Sequence, residues 1–143
     1  IVSRSALRSA LSPIVPVPCG SAQIQPVYVK DVAHAVLKVL ENPALHQGLE
    51  YDLAGPERLS RAEFYSAVLA AAAKSRIMIS MPAPLTWLAA AVRQWLPEPT
   101  LTTEMVTVLK HDSVVAEDVL SFSDLGITPT KLTEALNDYL GKN

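Results

Sequence analysis

The sequence predicts an α/β fold with few short, mainly parallel strands and about five helices. Strand and helix patterns alternate between residues 23 and 81, which favours parallel pairing. After Pro82 the patterns are mainly helical. The chain has 143 residues, and 50% of them are apolar, which is enough for one domain with its own core. We therefore expect a single domain over residues 1–143.

The first elements follow from local patterns. Residues 3–11 carry a helical apolar face, and the prolines of 13–18 predict an extended linker. Residues 23–29 alternate as a strand. Asp31 is placed to cap the helix that follows. The apolar arc of this helix is broad, which indicates cover on two sides, and Asn42-Pro43 ends the helix.

A second strand and helix are predicted next. Residues 49–54 read as a strand that closes at Gly55-Pro56. Ser60 and Glu63 form a capping box that starts a helix reaching about Lys74. A β-rich run over residues 77–81 completes the alternation.

Caps define the last helices. Pro84 can occupy the first turn of a helix that reaches Trp95. Thr102 or Thr103 can cap a segment that runs through Lys110. We expect Thr130 to cap a final helix ended by Gly141.

Composition excludes several classes of function. A formal net charge of −2 lacks the excess of positive charge that is typical of proteins that bind nucleic acid. The lone Cys19 excludes a disulfide framework and a cysteine-rich metal site, and it fits a reducing, cytoplasmic location. No apolar run is long enough to span a membrane. The mean hydropathy of +0.24 is high, which indicates a surface that packs on something outside the chain.

Candidate substrate residues lie along the first predicted strand. Gln23 and Gln25 would line a cleft, and ordinary polar pairing at a strand edge is the alternative. The Tyr28 hydroxyl could meet a ligand, although Tyr28 also suits amphipathic packing. The position of Asp31 is that of a cap and not of a catalyst.

An aromatic stripe is the other candidate. Trp87, Ala91 and Trp95 share one face of the predicted helix. The alternatives are core packing, a lid over a ligand, a subunit contact and a membrane-surface face. The three histidines have no metal-ligand spacing, and no nucleophile elbow is present, so we predict neither a metal site nor a catalytic residue in the chain.

Five segments, in order, resemble one protein family. They are residues 25–40 with Val27, Val29 and Asp31, residues 49–56, residues 59–64, residues 77–82 and residues 124–129. This order is similar to the C-terminal half of extended and atypical short-chain dehydrogenase/reductases. The nearest group is the NAD-dependent epimerase/dehydratase-like branch that includes an accessory subunit of NADH:ubiquinone oxidoreductase.

The resemblance implies a lobe without the family's chemistry. The family's N-terminal half holds a glycine-rich loop for NAD or NADP and a Tyr-x-x-x-Lys pair for proton transfer. The five glycines here are scattered, and no tyrosine is followed by lysine at the fourth position. The family's sugar-nucleotide epimerases often place an arginine before the strand, and residues 21–25 contain none. A sugar-nucleotide substrate is therefore in doubt.

We expect the chain to start inside a longer protein and to form the substrate-side lobe of an NAD(P)-binding parent. The chain itself would hold no cofactor and would be inert alone. Its partners would be the missing Rossmann half and a small-molecule substrate, and a homodimer is left open. The alternatives are a non-catalytic accessory subunit and an independent interaction module. Whether the parent is an enzyme is open.

Overall fold

The computed structural model describes residues 14–93, 101–116 and 118–141. In chain order the elements are β1 (Ile14–Pro18), β2 (Gln23–Ile24), α1 (Val29–Glu41), α2 (Pro43–His46), β3 (Leu59–Ser60), α3 (Arg61–Ala71), β4 (Ile77–Met81), α4 (Ala83–Arg93), α5 (Thr103–Leu109), a 3-10 helix (Phe122–Leu125) and α6 (Leu132–Leu140). The predicted α/β class is confirmed. The helix predicted over residues 3–11 lies outside the described residues.

The described residues belong to two compact units. The first contains the residues up to Ile24 and those of Leu59–Asp112. The second contains Gln25–Arg58 and the residues from Ser113 onward. The expectation of one domain over residues 1–143 stays a prediction.

The parallel pair of the first unit joins β1 to β4, in register from Ile14 opposite Ile77 to Pro18 opposite Met81. The extended linker predicted here is wrong, because Val15 and Val17 are buried in a strand. The N–H of Cys19 donates to the carbonyl of Met81 at 2.9 Å. The backbone nitrogens of every second residue in a strand point to the same side. Because the nitrogen of Cys19 points toward β4, the ring nitrogens of Pro16 and Pro18 point away from it. Such positions at a sheet edge tolerate proline.

The strand predicted over residues 23–29 is wrong beyond Ile24. Gln23 and Ile24 form β2, which pairs antiparallel with β3. After Ile24 the chain is irregular until α1 begins at Val29. Pro26 has no N–H to donate to a ladder.

The capping box at the start of α3 is confirmed. The Ser60 hydroxyl accepts from the N–H of Glu63 at 3.2 Å. The Glu63 carboxylate accepts from the N–H and the hydroxyl of Ser60 at 2.7 and 2.6 Å. The hydrogen bond from the Ser60 hydroxyl, and to a smaller extent the one from the Ser60 N–H, hold the pKa of Glu63 below its ordinary value. The helix ends at Ala71, before the predicted Lys74, and Ala73 follows at a φ of 52°.

Arg61 ties three parts of the first unit together. It is 8% exposed. Its Nη1 donates to the carbonyl of Leu109 at 2.8 Å and, over longer distances, to those of Pro18 at 3.3 Å and Cys19 at 3.4 Å. Because Leu109 ends α5, the guanidinium lies at the negative end of that helix dipole.

The first unit has a core of small side chains. Cys19, Ala22, Ala90 and Val106 form the buried cluster. Ala90 belongs to α4, whose other fully buried side chain is Thr86. The Thr86 hydroxyl donates back to the carbonyls of Met81 or Pro82, at 3.2 and 3.1 Å. The buried face of α4 is therefore the Thr86 and Ala90 side. The Thr102 cap of α5 is confirmed, since its hydroxyl accepts from the N–H of Met105.

In the second unit, Asp31 does not cap α1. The helix begins at Val29, and its N-cap residue, Tyr28, makes no side-chain cap bond. Asp31 is buried in the first turn, and its carboxylate accepts the N–H of Thr130 at 2.6 Å and the hydroxyl of Thr130 at 2.9 Å. The cap predicted for Thr130 is also wrong, because α6 starts at Leu132.

Two distant carboxylates hold the start of α6. Asp31 receives the N–H of Thr130, and Glu57 receives the N–H of Leu132 at 2.8 Å. Negative charge at this end complements the helix dipole. Further along α6, Asp138 accepts from the Tyr28 hydroxyl and from the Lys30 ammonium at 2.6 Å.

The strand predicted over residues 49–54 is reduced to one bridge, between Tyr51 and Leu120. The N–H of Asp52 donates to the carbonyl of Leu120 at 2.9 Å. The chain then turns into the 3-10 helix, so the pairing cannot continue. Ala35, Phe122 and Leu125 form the core of this unit.

Candidate functional site

The second unit contains a pocket of about 640 Å³. Its wall comes from the segment after Tyr51, the segment before the 3-10 helix, and that helix with the turn after it. The lining residues are Gln25, Asp52, Ala54, Gly55, Arg58, Val115, Ala116, Val119, Ser121, Phe122, Ser123, Gly126, Ile127, Thr128 and Pro129. The volume suits a small ligand.

Gln25 braces this wall. Its Nε2 donates to the carbonyl of Gly55 at 2.8 Å, and its Oε1 accepts from the N–H of Val115 at 3.1 Å. Its own N–H donates to the carbonyl of Ser113 at 3.1 Å. The side-chain amide of Gln25 therefore links the pocket wall at Gly55 to the pocket wall at Val115.

Two glycines shape the wall. A Cβ at Gly55 would collide with the carbonyl oxygen of Pro26, so the two backbones can approach only because position 55 is glycine. Gly126 ends the 3-10 helix at a φ of 68°, in the left-handed region. At Gly55 and Gly126 the pocket wall therefore consists of backbone atoms.

The polar groups of the pocket include one cation and one carboxylate. The Arg58 side chain is exposed, and its Nη2 donates to the carbonyl of Val115 at 3.0 Å, which ties one nitrogen of the guanidinium to the wall. Asp52 contributes the carboxylate, and its side chain is exposed. Hydroxyls come from Ser121, Ser123 and Thr128. Among the described carboxylates, none forms an ion pair with Arg58.

The structure separates the predicted site residues. Gln25 lines the pocket. Gln23 is in the first unit, where its N–H donates to the Asp112 carboxylate at 2.8 Å. Tyr28 is 9% exposed and gives its hydroxyl to Asp138, which matches the packing alternative.

The aromatic stripe lies on α4 of the first unit. Trp87 is 53% exposed, so core packing is wrong for this side chain. Ala91 is half-buried. Trp95 lies outside the described residues. The role of the stripe as a substrate lid stays a prediction.

The described part of the chain has neither a cluster of metal-ligating side chains nor a helix that could cross a membrane. No group of three His, Cys, Asp or Glu side chains there could hold a metal ion. Each helix in the same ranges is too short or too polar to span a bilayer. His46 instead shares a hydrogen bond of 2.8 Å with the Tyr51 hydroxyl.

Sequence reasoning missed most of the pocket. Asp52 and Arg58 flank the Gly55-Pro56 turn, and the turn was the available signal. Two of the segments that carry the family resemblance, residues 49–56 and 124–129, supply wall residues. Nothing in either segment indicates that they meet.

Comparison with known proteins supports the resemblance. No protein-family model matches the chain. The chain is 29% identical over 122 residues to the Arabidopsis thaliana mitochondrial NADH dehydrogenase [ubiquinone] 1 alpha subcomplex subunit 9. The match covers 79% of this chain and 30% of that protein. The chain therefore spans less than a third of the length of this relative.

A solved structure shares the fold. The triphenylmethane reductase of Citrobacter sp., an enzyme studied for the bioremediation of triphenylmethane dyes, aligns with a TM-score of 0.68 and 18% identity. The alignment covers 97% of this chain and 48% of the reductase. The resemblance predicted from the sequence, to an extended or atypical short-chain dehydrogenase/reductase, is confirmed as a likeness in sequence to an NADH dehydrogenase subunit and in fold to part of a reductase.

Proposed function

We propose that this chain is the substrate-side lobe of an NAD(P)-binding epimerase-, dehydratase- or reductase-like protein. The observation that carries the proposal is the extent of the fold match: nearly the whole chain aligns with about half of a reductase. The residues that would hold a dinucleotide or transfer a proton are absent from the sequence, which has neither the glycine-rich loop nor a Tyr-x-x-x-Lys pair. The cofactor, NAD or NADP, would be bound by the other half of the parent.

An apolar face of α1 supports this assignment. Val29, Val36, Leu37 and Leu40 are 58, 52, 58 and 66% exposed, and their spacing puts them on one side of the helix. The neighbouring side of the helix packs on the core of the second unit through Val32, Ala35 and Val39. A stripe of this kind suits contact with an apolar surface of a partner domain.

The test is a fluorescence titration of the 143-residue chain with NADPH and NADH. We expect no saturable change up to about 1 mM nucleotide, because the backbone cradle that normally holds the pyrophosphate is absent. A dinucleotide-binding reductase serves as the positive control. Saturable binding with a micromolar dissociation constant would overturn the proposal.

The second candidate function is a non-catalytic accessory subunit. The Arabidopsis relative favours it, because its name places it as a subunit of NADH dehydrogenase. The parent sequence discriminates between the two: an intact Tyr-x-x-x-Lys pair favours an enzyme, and its loss favours a scaffold. The cytoplasmic location stays a prediction. Cell fractionation tests it against the mitochondrial location in the name of the relative.

The other readings concern assembly. A homodimer and an independent interaction module both stay open as predictions. Analytical ultracentrifugation separates an independent module from a homodimer and from a lobe that lacks its partner. A stable monomer with little exposed apolar surface favours an independent module, whereas a dimer or aggregate indicates an uncovered face.

A further inference from the structure

We propose that the pocket of the second unit binds a small carboxylic acid with an apolar body. Arg58 would hold the carboxylate, and the side chains around Phe122 would contact the body. The pocket lies within one unit, so binding requires no dinucleotide. The inference therefore goes beyond the proposed function, and the two can fail separately.

Arg58 is anchored as an anion-binding group. Its Nη2 donates to the carbonyl of Val115 at 3.0 Å, which orients the guanidinium plane beside the pocket. The remaining N–H groups of that plane match the two oxygens of a carboxylate. Val115 is itself held, because its N–H donates to the Gln25 amide at 3.1 Å. The guanidinium is thus hydrogen-bonded to a segment that is itself held by Gln25.

The apolar part of the wall suits a compact hydrocarbon body. Phe122 is 2% exposed and belongs to the core of the second unit, so it supports the wall from behind. Ile127 and Pro129 are half-buried and line the same pocket. An aromatic or branched ligand body would displace water from the accessible parts of Ile127 and Pro129.

Charge selects a carboxylate over a phosphate. Asp52 lines the pocket together with Arg58, so the formal charges of the two groups cancel. A doubly charged phosphate would meet repulsion from Asp52, whereas a singly charged carboxylate meets less. Asp52 also accepts hydrogen bonds, which favours a ligand with a hydroxyl or ammonium donor.

The experiment is a titration of the 15N-labelled chain followed by amide chemical shifts. The probe is 3-phenylpropanoate, with the neutral 3-phenylpropanamide, acetate and inorganic phosphate as matched comparisons. We expect saturable shifts at Val115 and Ile127 with a dissociation constant of about 1 mM. The amide and acetate should each bind about tenfold more weakly, because each lacks one of the two recognition elements.

Variants assign the anion contact. Arg58→Gln should weaken 3-phenylpropanoate about tenfold and leave the amide unchanged. Lys38→Gln, which removes an exposed cation of the same unit that does not line the pocket, should bind like the parent chain. Arg58→Lys is the second variant, in case Arg58→Gln disturbs the wall. It keeps the charge without the planar guanidinium and should give an intermediate affinity. Circular dichroism checks the fold of each variant.

Three kinds of result would overturn the proposal. The first is no saturable shift at about 10 mM probe. The second is equal binding of the acid and the amide, or equal loss in Lys38→Gln and Arg58→Gln. The third is tighter binding of inorganic phosphate at the same amides, which would reject the ligand class.

Discussion

Removing the Asp31 carboxylate should destabilise the second unit by about 3–4 kcal/mol. The carboxylate accepts the N–H of Thr130 at 2.6 Å and its hydroxyl at 2.9 Å. Asp31 is 7% exposed, so solvent screens these hydrogen bonds little. Hydrogen bonds to a charged group contribute about 1.5–3 kcal/mol each. The sum for Asp31→Ala is about 3–6 kcal/mol, and relief of the buried charge lowers the expected loss to about 3–4 kcal/mol.

The isosteric variant refines this value. Asp31→Asn keeps one carbonyl acceptor, and its amide can donate to the Thr130 hydroxyl, which rotates to accept. We expect a loss of about 1–2 kcal/mol. The assay is urea unfolding followed by circular dichroism at 222 nm. Thr130→Val supplies the second arm, and a double-mutant cycle with Asp31→Ala isolates the hydroxyl part of the interaction.

Amide hydrogen exchange tests the same reasoning locally. Asp31→Ala should speed exchange of the Thr130 amide, and Glu57→Gln should affect the Leu132 amide instead, since Glu57 accepts that N–H. A loss below about 1 kcal/mol in Asp31→Ala, with unchanged exchange at Thr130, would refute the long-range clamp.

The remaining predictions concern the other features described above. Gly55→Ala should cost about 1–3 kcal/mol of unfolding free energy, because the new Cβ meets the Pro26 carbonyl; urea unfolding measures it, and no loss would contradict the close approach. Arg61→Met should cost about 2–4 kcal/mol, because buried carbonyls lose their donor; the same assay checks it, and a neutral result would contradict the buried contacts. The lowered pKa of Glu63 means that its stabilisation is present above its ordinary value of 4.5 and is lost as the pH falls through the lowered value. Ser60→Ala should remove that part of the pH dependence in acid unfolding curves, and an unchanged curve would contradict the capping box.

The two predicted N-caps show which structural information is local. Ser60 has its partner, Glu63, three residues away, so the sequence contains the whole capping box, and the structure has it. Asp31 stands before the same kind of apolar helix, but its oxygens are taken by Thr130, 99 residues later. No spacing rule detects a partner at that distance. The residue type alone was therefore compatible with either role.

The strands differ from prediction for a related reason. In residues 14–18 prolines alternate with buried valines, a period of two that is typical of a strand. The general effect of proline on strands favoured a linker instead, and the exception applies only where the ring nitrogens face away from the partner strand. That condition depends on β4, which begins 59 positions after Pro18. Residues 49–54 have the opposite outcome: they carry a strand pattern, yet the segment opposite them turns into a helix after one bridge.

The pocket depends on the same long-range information. Gln25 was singled out from the sequence as a residue that could line a cleft where a strand begins, and it does line the pocket. Its amide is bound to Gly55 and Val115, so it acts on the pocket by holding two walls together. Arg58, which offers the stronger ligand chemistry, sits in a segment where an exposed cation is unremarkable by sequence. It becomes a candidate only because the carbonyl of Val115, 57 residues away, fixes its guanidinium beside an apolar wall.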